Sequence, residues 1–397
     1  MKDFRLGVVG LGHRGRAMFT EACKCLFGIK GVAACDINPA LWYDDILRDK
    51  AVHPSMASQL PDVKFYESYD EMLEKADLDI VMIETPATCH AEFCIKALDR
   101  GIHVFSDIPS VRDLVEAKDL WEAHLRSSAK LMTGATTMGW GFCLSLQDLY
   151  HQGLLGKPYA LEAEYIHDCR GLWEETPWRK PTTKFASVPC SYSTHSLGPM
   201  LAVLEEDLTE VVCISSGSHV TEFPHANDYT CALFRTPSKV TVRMTCSFIN
   251  NCKSGLHSFR VFGTEGCFEH LSHRGEKQPM RTTFSSNKLV GADAPVELPV
   301  GFSPFSDAVK RQYKYKGTFG HGGADSYLWL RFIEALQRGD EVMPISLRDG
   351  LRMTLPGIYA VESVIRDGEK VAIHYPWQKE EFQKDIETCS PRCTGRK

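Results

Sequence analysis

Short apolar runs alternate with longer segments of helical spacing over the first third of the chain. An apolar run of a few residues, bounded by polar or glycine-containing turns, is typical of a buried strand. The runs predict strands at residues 5–9, 32–35, 63–66, 79–83, 102–105 and 130–133, and the intervening segments predict helices at 18–27, 69–75, 89–100 and 111–127. Because strands that alternate with helices form a parallel sheet with right-handed crossovers, we expect an α/β domain here.

The pattern changes after residue 150. Apolar and polar residues alternate one by one in several segments, which predicts strands at 159–165, 228–235, 239–248, 257–262 and 267–269. Such alternation is typical of antiparallel strands with one solvated face. Residues 326–338 and 347–366 return to helical spacing, and residues 271–305 are too polar to assign.

Three glycines follow the first predicted strand in the pattern G-x-G-x-x-G, as Gly10, Gly12 and Gly15. In such a turn the first glycine permits a sharp bend, the second lets backbone N–H groups approach a pyrophosphate, and the third lets the helix pack closely on the strand. The helix N-terminus adds a partial positive charge that attracts phosphate. A plain glycine turn is the alternative, but the strand, turn and helix order favours dinucleotide binding.

An acidic residue, Asp36, ends the second predicted strand, about 20 residues after the third glycine. A carboxylate there can accept hydrogen bonds from both ribose hydroxyls and repels a 2′-phosphate, which favours NAD over NADP. A turn residue at a strand end is the alternative for Asp36. We also assign His13 and Arg14, inside the glycine motif, to cofactor binding, because Arg14 could touch a phosphate.

These features predict two domains and a tail. We expect an α/β architecture: an N-terminal Rossmann fold with a parallel sheet at residues 1–130, followed by an α+β domain with a large, mostly antiparallel sheet at 131–380. The second domain is assigned to substrate binding and oligomerisation. Residues 381–397 are predicted to be a flexible tail, because Cys389 and Cys393 lie in a polar setting near the terminus.

The composition and charge of the chain exclude some classes of function. The 397 residues are 43% hydrophobic and 24% charged, as in an ordinary globular protein. The net charge of −6 offers no basic field for nucleic acid, and the apolar runs are too short for a membrane helix. The 15 cysteines are scattered without a C-x-x-C pair, so we expect reduced thiols and no metal site. With the first strand beginning so early, we expect no signal peptide and a cytoplasmic protein.

These residues resemble the Gfo/Idh/MocA family, the group of glucose–fructose oxidoreductase and inositol dehydrogenase. The resemblance covers most of the chain and rests on G-L-G-H-R-G, the strand that ends at Asp36, Thr85-Pro86 followed by His90, and residues 101–104 before a proline motif. It implies NAD as cofactor, with Thr85 and Pro86 on the nicotinamide side and His90 nearby. The alternative for His90 is a residue at a helix N-terminus that bonds the backbone.

The chain departs from the family pattern at residues 107–109. The usual motif there is Glu-Lys-Pro, whereas this chain has Asp107-Ile108-Pro109. The resemblance implies that Asp107 and Pro109 still border the cofactor, with Asp107 holding backbone or ribose groups. The Ile108 side chain cannot lower the pKa of a substrate hydroxyl by charge, as an ammonium group does. Either another group supplies the proton chemistry, or the protein is not a simple dehydrogenase.

A second departure lies in residues 189–199. The family carries an acid and, about four residues later, a histidine at the start of a helix; here Tyr192 and His195 are spaced i, i+3 and would share one helix face. His195 can act as a general base near neutral pH, and Tyr192 can donate a hydrogen bond or a proton. We therefore predict that Tyr192 and His195 are catalytic. A core histidine with a hydroxyl partner is the alternative.

The segment around His195 is similar to one branch of the family, the NAD-dependent α-N-acetylgalactosaminidases, which carry Tyr-x-x-His-x-Leu-Gly-Pro. Residues 164–170, 178–179 and 320–325 look like the same branch. This resemblance implies substrate-binding roles for Tyr165, His167, Arg170, Trp178, Arg179, His321 and Asp325. His321 and Asp325, spaced i, i+4, could grip sugar hydroxyls or could instead cap a helix.

One feature of that branch is missing. It carries a glutamate just after the first domain, whereas residues 133–138 of this chain contain no acid. We therefore transfer neither the hydrolase activity nor the N-acetylgalactosamine specificity.

The resemblance implies chemistry on a pyranoside hydroxyl, at C3, with a small sugar or glycoside as the partner rather than nucleic acid or a membrane. Simple oxidoreduction and redox-assisted glycoside cleavage both remain open. The alternative from another class is a non-catalytic NAD-binding sensor or regulator, which Ile108 motivates. By analogy with the family, we expect a homo-oligomer, either a dimer or a tetramer.

Overall fold

The computed structural model describes residues 3–48, 51–174, 176–180, 188–223, 226–251, 256–272, 280–289, 295–298 and 320–395. The strands, in chain order, are β1 (Phe4–Val9), β2 (Ile29–Cys35), β3 (Ile46–Arg48), β4 (Ala51–His53), β5 (Lys64–Tyr66), β6 (Ile80–Ile83), β7 (His103–Ser106), β8 (Leu131–Thr133), β9 (Pro158–Ile166), β10 (Glu210–Ser215), β11 (Thr230–Arg235), β12 (Thr241–Ser247), β13 (Leu256–Gly263), β14 (Gly266–Ser272), β15 (Met280–Ser286), β16 (Val296–Leu298) and β17 (Val371–Ala372).

The helices are α1 (His13–Cys25), α2 (Ala40–Tyr43), α3 (Met56–Gln59), α4 (Tyr69–Lys75), α5 (His90–Leu98), α6 (Leu114–Arg126), α7 (Gly141–His151), α8 (Thr194–Leu201), α9 (Ala324–Arg338), α10 (Leu347–Ile365), α11 (Lys379–Thr388) and α12 (Pro391–Thr394). Short 3-10 turns are formed by Ala87–Cys89, Thr136–Gly139, Arg170–Leu172, Pro177–Arg179, Pro189–Ser191 and Gly320–Gly323. Every helix in the described part of the chain is too short or insufficiently apolar to cross a lipid bilayer.

The chain forms two compact units. The first comprises residues 1–111, 118–139 and 303–348, and the second comprises 112–117, 140–302 and 349–397. The first unit contains a six-stranded parallel sheet in the order β5-β2-β1-β6-β7-β8. All four residues of β6 are 0% exposed, since helical crossovers cover both faces of a parallel sheet. The predicted parallel α/β fold is therefore confirmed.

Strand β1 lies between β2 and β6, so the order of the strands reverses beside it. In open α/β sheets, ligands bind at the carboxyl ends of the strands at such a reversal. The glycine motif follows β1 there. Helix α1 begins at His13, five residues before the predicted start, because the second half of the motif is already helical.

The motif closes tightly on the end of β6. Gly10 has a φ of 92°, and a Cβ added to it would lie 2.6 Å from the carbonyl carbon of Glu84. A Cβ on Gly15 would lie 2.0 Å from the carbonyl oxygen of Gly10. A Cβ on Gly12 would meet no atom within 4 Å in the described structure. Gly10 and Gly15 are therefore required by packing, whereas Gly12 leaves an open surface.

Helix α9 belongs to the first unit, although its sequence lies more than 180 residues after β8. Its Trp329 stacks on Phe105 of β7 with ring centroids 4.3 Å apart, and Phe332 is fully buried beside it. The predicted division assigned all of residues 131–380 to the second domain. The apolar face of α9 instead covers the parallel sheet. The first unit therefore combines segments that are far apart in the sequence, so a single domain boundary cannot describe it.

The second unit contains a nine-stranded sheet in the order β16-β15-β14-β13-β9-β12-β11-β10-β17. Its strand pairs are antiparallel except for β9 and β12, which run parallel. The solvated face carries ion pairs, in which Glu162 accepts hydrogen bonds from Arg243 at 3.0 Å and Arg260 at 2.9 Å. The predicted large and mostly antiparallel sheet is confirmed.

The C-terminal segment is not the flexible tail that we predicted. It forms α11 and α12, and Phe382, Cys389 and Cys393 are at most 4% exposed. The Asp385 carboxylate accepts hydrogen bonds from the Tyr359 hydroxyl at 2.5 Å and from Nδ1 of His374 at 2.8 Å. Most residues around the cysteines are polar, but Phe382 and Ile386 are spaced i, i+4 and share the buried face of α11.

We expect Asp385→Ala to lower the free energy of unfolding by about 1–3 kcal/mol, because the buried Tyr359 hydroxyl then loses its acceptor. Urea unfolding of the full chain measures this change. Glu387→Ala is the matched control on the exposed face of the same helix and should change stability by less than about 0.5 kcal/mol. Equal losses in the two variants would contradict a docked C-terminal segment.

Gly15→Ala should lower the free energy of unfolding by about 1–3 kcal/mol, because the added methyl overlaps the Gly10 carbonyl. Gly12→Ala, three residues away in the same motif, should cost less than about 1 kcal/mol, since its methyl enters open space and the position is a helix N-cap. Thermal unfolding of the two variants without added nucleotide compares them. A Gly12→Ala chain as unstable as Gly15→Ala would show that the loop is packed differently.

Candidate functional site

The surface around Gly12 and the end of β2 fits a dinucleotide. The Asp36 carboxylate is half-buried and accepts hydrogen bonds from the backbone N–H groups of Leu11 at 2.7 Å and Asn38 at 2.9 Å. These bonds fix the acid beside the glycine turn and leave each of its oxygens a further lone pair, which ribose hydroxyls can use. The first turn of α1 begins at His13 and supplies backbone N–H groups for phosphate.

Thr85 and Pro86 follow β6 at the same edge of the sheet. The Thr85 hydroxyl oxygen is buried and has no hydrogen-bond partner among the described residues, so it fits a polar group of a bound cofactor. His90 is 2% exposed and engages the backbone through both ring nitrogens: Nε2 lies 2.7 Å from the Thr85 carbonyl and Nδ1 lies 2.8 Å from the Pro109 carbonyl. These contacts match the alternative stated for His90, a residue that bonds the backbone. They join the loop after β6 to the loop after β7.

The position of the family lysine is occupied by an apolar side chain and is buried. Ile108 is 5% exposed and is joined to Pro109 by a cis peptide bond. The side chain therefore lies inside the first unit, where it supplies packing and no charge. The Ile108 side chain cannot perform the proton chemistry of a lysine.

Arg14 is engaged by carboxylates rather than left open for a phosphate. Its guanidinium donates to Asp107 Oδ2 at 3.1 Å, to both carboxylate oxygens of Asp325 at 3.2 and 3.3 Å, and to the Thr136 hydroxyl at 3.0 Å. Its Nε also lies 3.4 Å from a carboxylate oxygen of Glu84. These acids hold the pKa of Arg14 above its ordinary value although burial opposes the charge.

Two residues predicted to bind sugar lie in this cluster. Asp325 is 4% exposed and pairs with Arg14, with Thr136 at 3.1 Å and with Nδ1 of His321 at 2.9 Å. His321 itself is half exposed. The i, i+4 spacing does bring His321 and Asp325 together, but Asp325 is directed into the first unit. A sugar contact for either residue stays a prediction.

The second unit brings the predicted catalytic pair together. Tyr192 precedes α8 in an irregular conformation, so the two residues do not share a helix as predicted. Their side chains nevertheless meet, with the Tyr192 hydroxyl 3.2 Å from Nε2 of His195. Tyr165 of β9 stacks on His195 with ring centroids 5.1 Å apart and planes at 4°, which fixes the plane of the imidazole.

Tyr165 is the centre of a wider aromatic cluster. His257 of β13 packs edge-on against it with ring centroids 4.6 Å apart, and His167 lies 5.9 Å away. Burial, aided by nearby His167, lowers the pKa of His257 to about 4, and burial also lowers the pKa of His167. Both imidazoles are therefore neutral at neutral pH and can exchange hydrogen bonds with hydroxyl groups.

The sequence reasoning missed His257. It starts the predicted strand at 257–262, where one histidine in an alternating pattern carries no distinguishing signal. Its neighbour Tyr165 lies 92 residues earlier, and the two are joined only because β13 pairs with β9 in the sheet. Glu84 was missed for a similar reason, although its place directly after a fully apolar strand was a usable signal.

The remaining predicted sugar ligands lie on the loop after β9. Arg170 forms a bidentate pair with Asp168 at 2.7 and 2.8 Å and reaches Asn251 at 2.9 Å. Arg179 is half-buried and its charge acts on Tyr165 and Cys169. The Trp178 side chain lies outside the described residues. Across the described ranges, no three metal-binding side chains come together.

Comparison with known proteins agrees with this geometry. Residues 4–135 match the model of the Gfo/Idh/MocA oxidoreductase family with an NAD-binding Rossmann fold, and residues 143–269 match a model of the C-terminal domain of the same family.

Two curated relatives match along most of the chain. An α-N-acetylgalactosaminidase from Shewanella oneidensis is 29% identical over 92% of this chain and 83% of its own length. A glycosyl hydrolase family 109 protein from Porphyromonas gingivalis is 23% identical over 85% of this chain and 77% of its own length.

Solved structures share the fold. Levoglucosan dehydrogenase in complex with NADH and levoglucosan matches with a TM-score of 0.74 at 17% identity, over 94% of this chain and all of that one. Scyllo-inositol dehydrogenase from Lactobacillus casei, with NAD(H) and scyllo-inositol bound, matches with a TM-score of 0.70 at 18% identity, over 94% of this chain and 99% of that one. Both family models and the dinucleotide-fitting glycine turn lead to one conclusion: the chain belongs to the Gfo/Idh/MocA family of oxidoreductases and is an NAD-dependent enzyme of that family.

Proposed function

We propose that this enzyme cleaves a glycoside without net oxidation, by transient oxidation of a pyranose hydroxyl at C3. The observation that carries the proposal is the contact between the Tyr192 hydroxyl and Nε2 of His195, held in place by Tyr165. Two features support cleavage over simple dehydrogenation. The position of the family lysine is a buried isoleucine, and the similar proteins from Shewanella oneidensis and Porphyromonas gingivalis are named as glycosidases.

NAD, when bound, supplies a reversible hydride acceptor for the sugar carbon. A ketone at C3 acidifies the neighbouring C2–H, which a positioned base can then remove. Tyr192 and His195 form such a base as a unit: the tyrosine oxygen takes the carbon-bound proton while its own proton passes to Nε2 of His195. The C1 substituent leaves by elimination, water adds to the resulting double bond, and return of the hydride restores the sugar.

This route differs from ordinary glycoside hydrolysis, which uses a pair of carboxylates on either side of the scissile bond. The described residues of the Tyr165 cluster offer hydroxyl and imidazole groups instead, and its histidines His167 and His257 are held neutral by burial. Neutral imidazoles and aromatic faces suit an uncharged sugar, so we assign His167 and His257 to binding its hydroxyl groups.

The sugar is left open. Residues 133–138 lack the glutamate of the N-acetylgalactosaminidase branch, and Thr136 in this stretch bonds Arg14 and Asp325 within the first unit. We therefore propose a glycoside substrate without transferring N-acetylgalactosamine specificity. A non-catalytic NAD-binding sensor is the second candidate, which the buried Ile108 favours. Assembly into a dimer or tetramer stays a prediction from the family resemblance.

A panel of nitrophenyl glycosides tests the proposal, with nitrophenol release and NADH absorbance followed together. We expect release of nitrophenol without accumulation of NADH, and, in heavy water, one deuterium at C2 of the sugar product. His195→Gln and Tyr192→Phe should each lower kcat by about 10²–10⁴-fold, the usual contribution of general acid–base catalysis. Both variants should retain NAD.

His151→Gln and Tyr159→Phe are the matched controls, because both side chains are exposed in the second unit. They should leave kcat unchanged. Stoichiometric NADH without deuterium at C2 would establish a simple dehydrogenase instead. No turnover of any glycoside, together with unchanged sugar binding by His195→Gln and Tyr192→Phe, would favour the sensor.

A further inference from the structure

The cluster around Arg14 contains more acid than base. Three carboxylates, those of Glu84, Asp107 and Asp325, lie within 3.4 Å of one guanidinium. Their side chains are 1%, 18% and 6% exposed, so water screens little of their mutual repulsion. If all three were ionised, their negative charge would exceed the one positive charge of Arg14. A bound proton would reduce this excess.

Asp325 has its own compensation. His321 and Thr136 donate to it in addition to Arg14. Although burial opposes ionisation, the hydrogen bond from His321 and the charge of Arg14 hold the pKa of Asp325 below its ordinary value. The excess negative charge consequently falls on Glu84 and Asp107.

Glu84 is the least satisfied of the three acids. Both of its carboxyl oxygens are buried, and no described residue donates a hydrogen bond to either. Its contact with Arg14 Nε, at 3.4 Å, is an ion pair too long for a strong hydrogen bond. Burial first, and then the charge of Asp107, raise the pKa of Glu84 well above its ordinary value, against the opposing effect of Arg14. Glu84 Oε2 and Asp107 Oδ2 both approach Nε of Arg14, and two carboxylates this close together in a site with little water oppose each other's ionisation.

We propose that Glu84 and Asp107 bind one shared proton at neutral pH, and that they hold it more tightly when the cofactor is NADH than when it is NAD⁺. The proton makes one acid a donor to the other, which supplies the hydrogen bond that the Glu84 oxygens lack. The site is a proton-binding site of the first unit. It rests on NAD as the cofactor and not on the proposed glycoside cleavage.

The position of the pair is the reason for the link to the cofactor. Glu84 follows β6 and Asp107 follows β7, at the carboxyl edge of the sheet where dinucleotides bind in open α/β folds. Glu84 also packs under the glycine motif, since a Cβ on Gly15 would lie 3.0 Å from the Glu84 Cβ. Oxidised nicotinamide carries a positive charge that the reduced ring lacks. That charge favours ionised carboxylates nearby and so favours loss of the shared proton.

Other titratable groups face the cluster and have to be separated from it. On α1, Glu21 has its pKa raised to about 7 by burial and by Asp325. His321 pairs with Asp325 from the turn before α9, and His90 of α5 bonds the Thr85 carbonyl next to Glu84. Glu84→Gln removes one specific carboxyl group. The difference in titration between wild type and Glu84→Gln therefore isolates the pair.

Infrared spectroscopy of the holoenzyme tests the proposal. Wild-type enzyme loaded with NADH should show, at pH 7, the carbonyl band of a protonated carboxylic acid in a buried setting. Glu84→Gln should lose the main part of this band, whereas Glu21→Gln should lose only the part that Glu21 contributes. Asp107→Asn should keep the band but lose it at a lower pH than wild type, because the like charge is gone. Glu71→Gln is the control, since Glu71 is an exposed acid paired with Lys75 and should leave the band unchanged.

Exchanging the bound cofactor tests the second part of the proposal, that the proton is held more tightly with NADH than with NAD⁺. With NAD⁺ in place of NADH, the pH at which wild type loses the band should shift downward, and Glu84→Gln should show no such shift. Carbon-13 labelling of the glutamate carboxyls in Glu21→Gln shows whether a glutamate other than Glu21 carries the band, even if Glu84→Gln does not fold. A band of equal size in wild type and Glu84→Gln would overturn the shared proton, and equal titration with NAD⁺ and NADH would overturn the link.

Discussion

The close contact between the glycine motif and the end of β6 is the constraint on which the first unit depends. Gly10 bends the chain with a positive φ against the Glu84 backbone, and Gly15 lets α1 pass over the Gly10 carbonyl. This contact directs the start of α1 toward the open surface at Gly12, and it places Arg14 above the ends of β6 and β7. One turn of chain thus provides both a helix terminus suited to phosphate and a half-buried cation among three acids.

The two units carry different chemistry. The first unit concentrates charge beside the nucleotide edge, in the Arg14 cluster. In the second unit the Tyr165 cluster is built mainly from uncharged rings, where burial holds the pKa of His257 at about 4 and raises the pKa of Tyr165. A binding surface made of neutral imidazoles, phenols and aromatic faces suits an uncharged sugar. Under the proposed function, the redox chemistry of NAD replaces the carboxylate pair of an ordinary glycosidase.

Most of the fold could be predicted from the sequence, because its signals are local. The apolar runs, the glycine motif and the alternation after residue 150 each depend on residues close together in the chain. The pairing of Tyr192 with His195 was also predicted, although the structure achieves it at a bend before α8 rather than on one helix face. The spacing was sufficient because three residues keep two side chains close in either conformation.

The sequence was least informative where distant segments meet. Asp325 bonds Arg14 across 311 positions, so its i, i+4 spacing with His321 indicated the neighbour but not the buried environment. Helix α9 joins the first unit through Trp329 and Phe105, which no local pattern connects. The C-terminal segment was predicted to be flexible because most of its residues are polar, whereas its few apolar residues are enough to hold it in place.

The central claim is that the open surface at Gly12 and the acid at Asp36 hold NAD and exclude NADP. Native mass measurement of wild type and Gly12→Ala, each incubated with equal concentrations of NAD and NADP, tests it most directly. The account predicts one NAD per wild-type chain and none on a folded Gly12→Ala chain, since the added methyl occupies the space of the pyrophosphate. NADP on wild type, or NAD on Gly12→Ala to the same extent as on wild type, would contradict it.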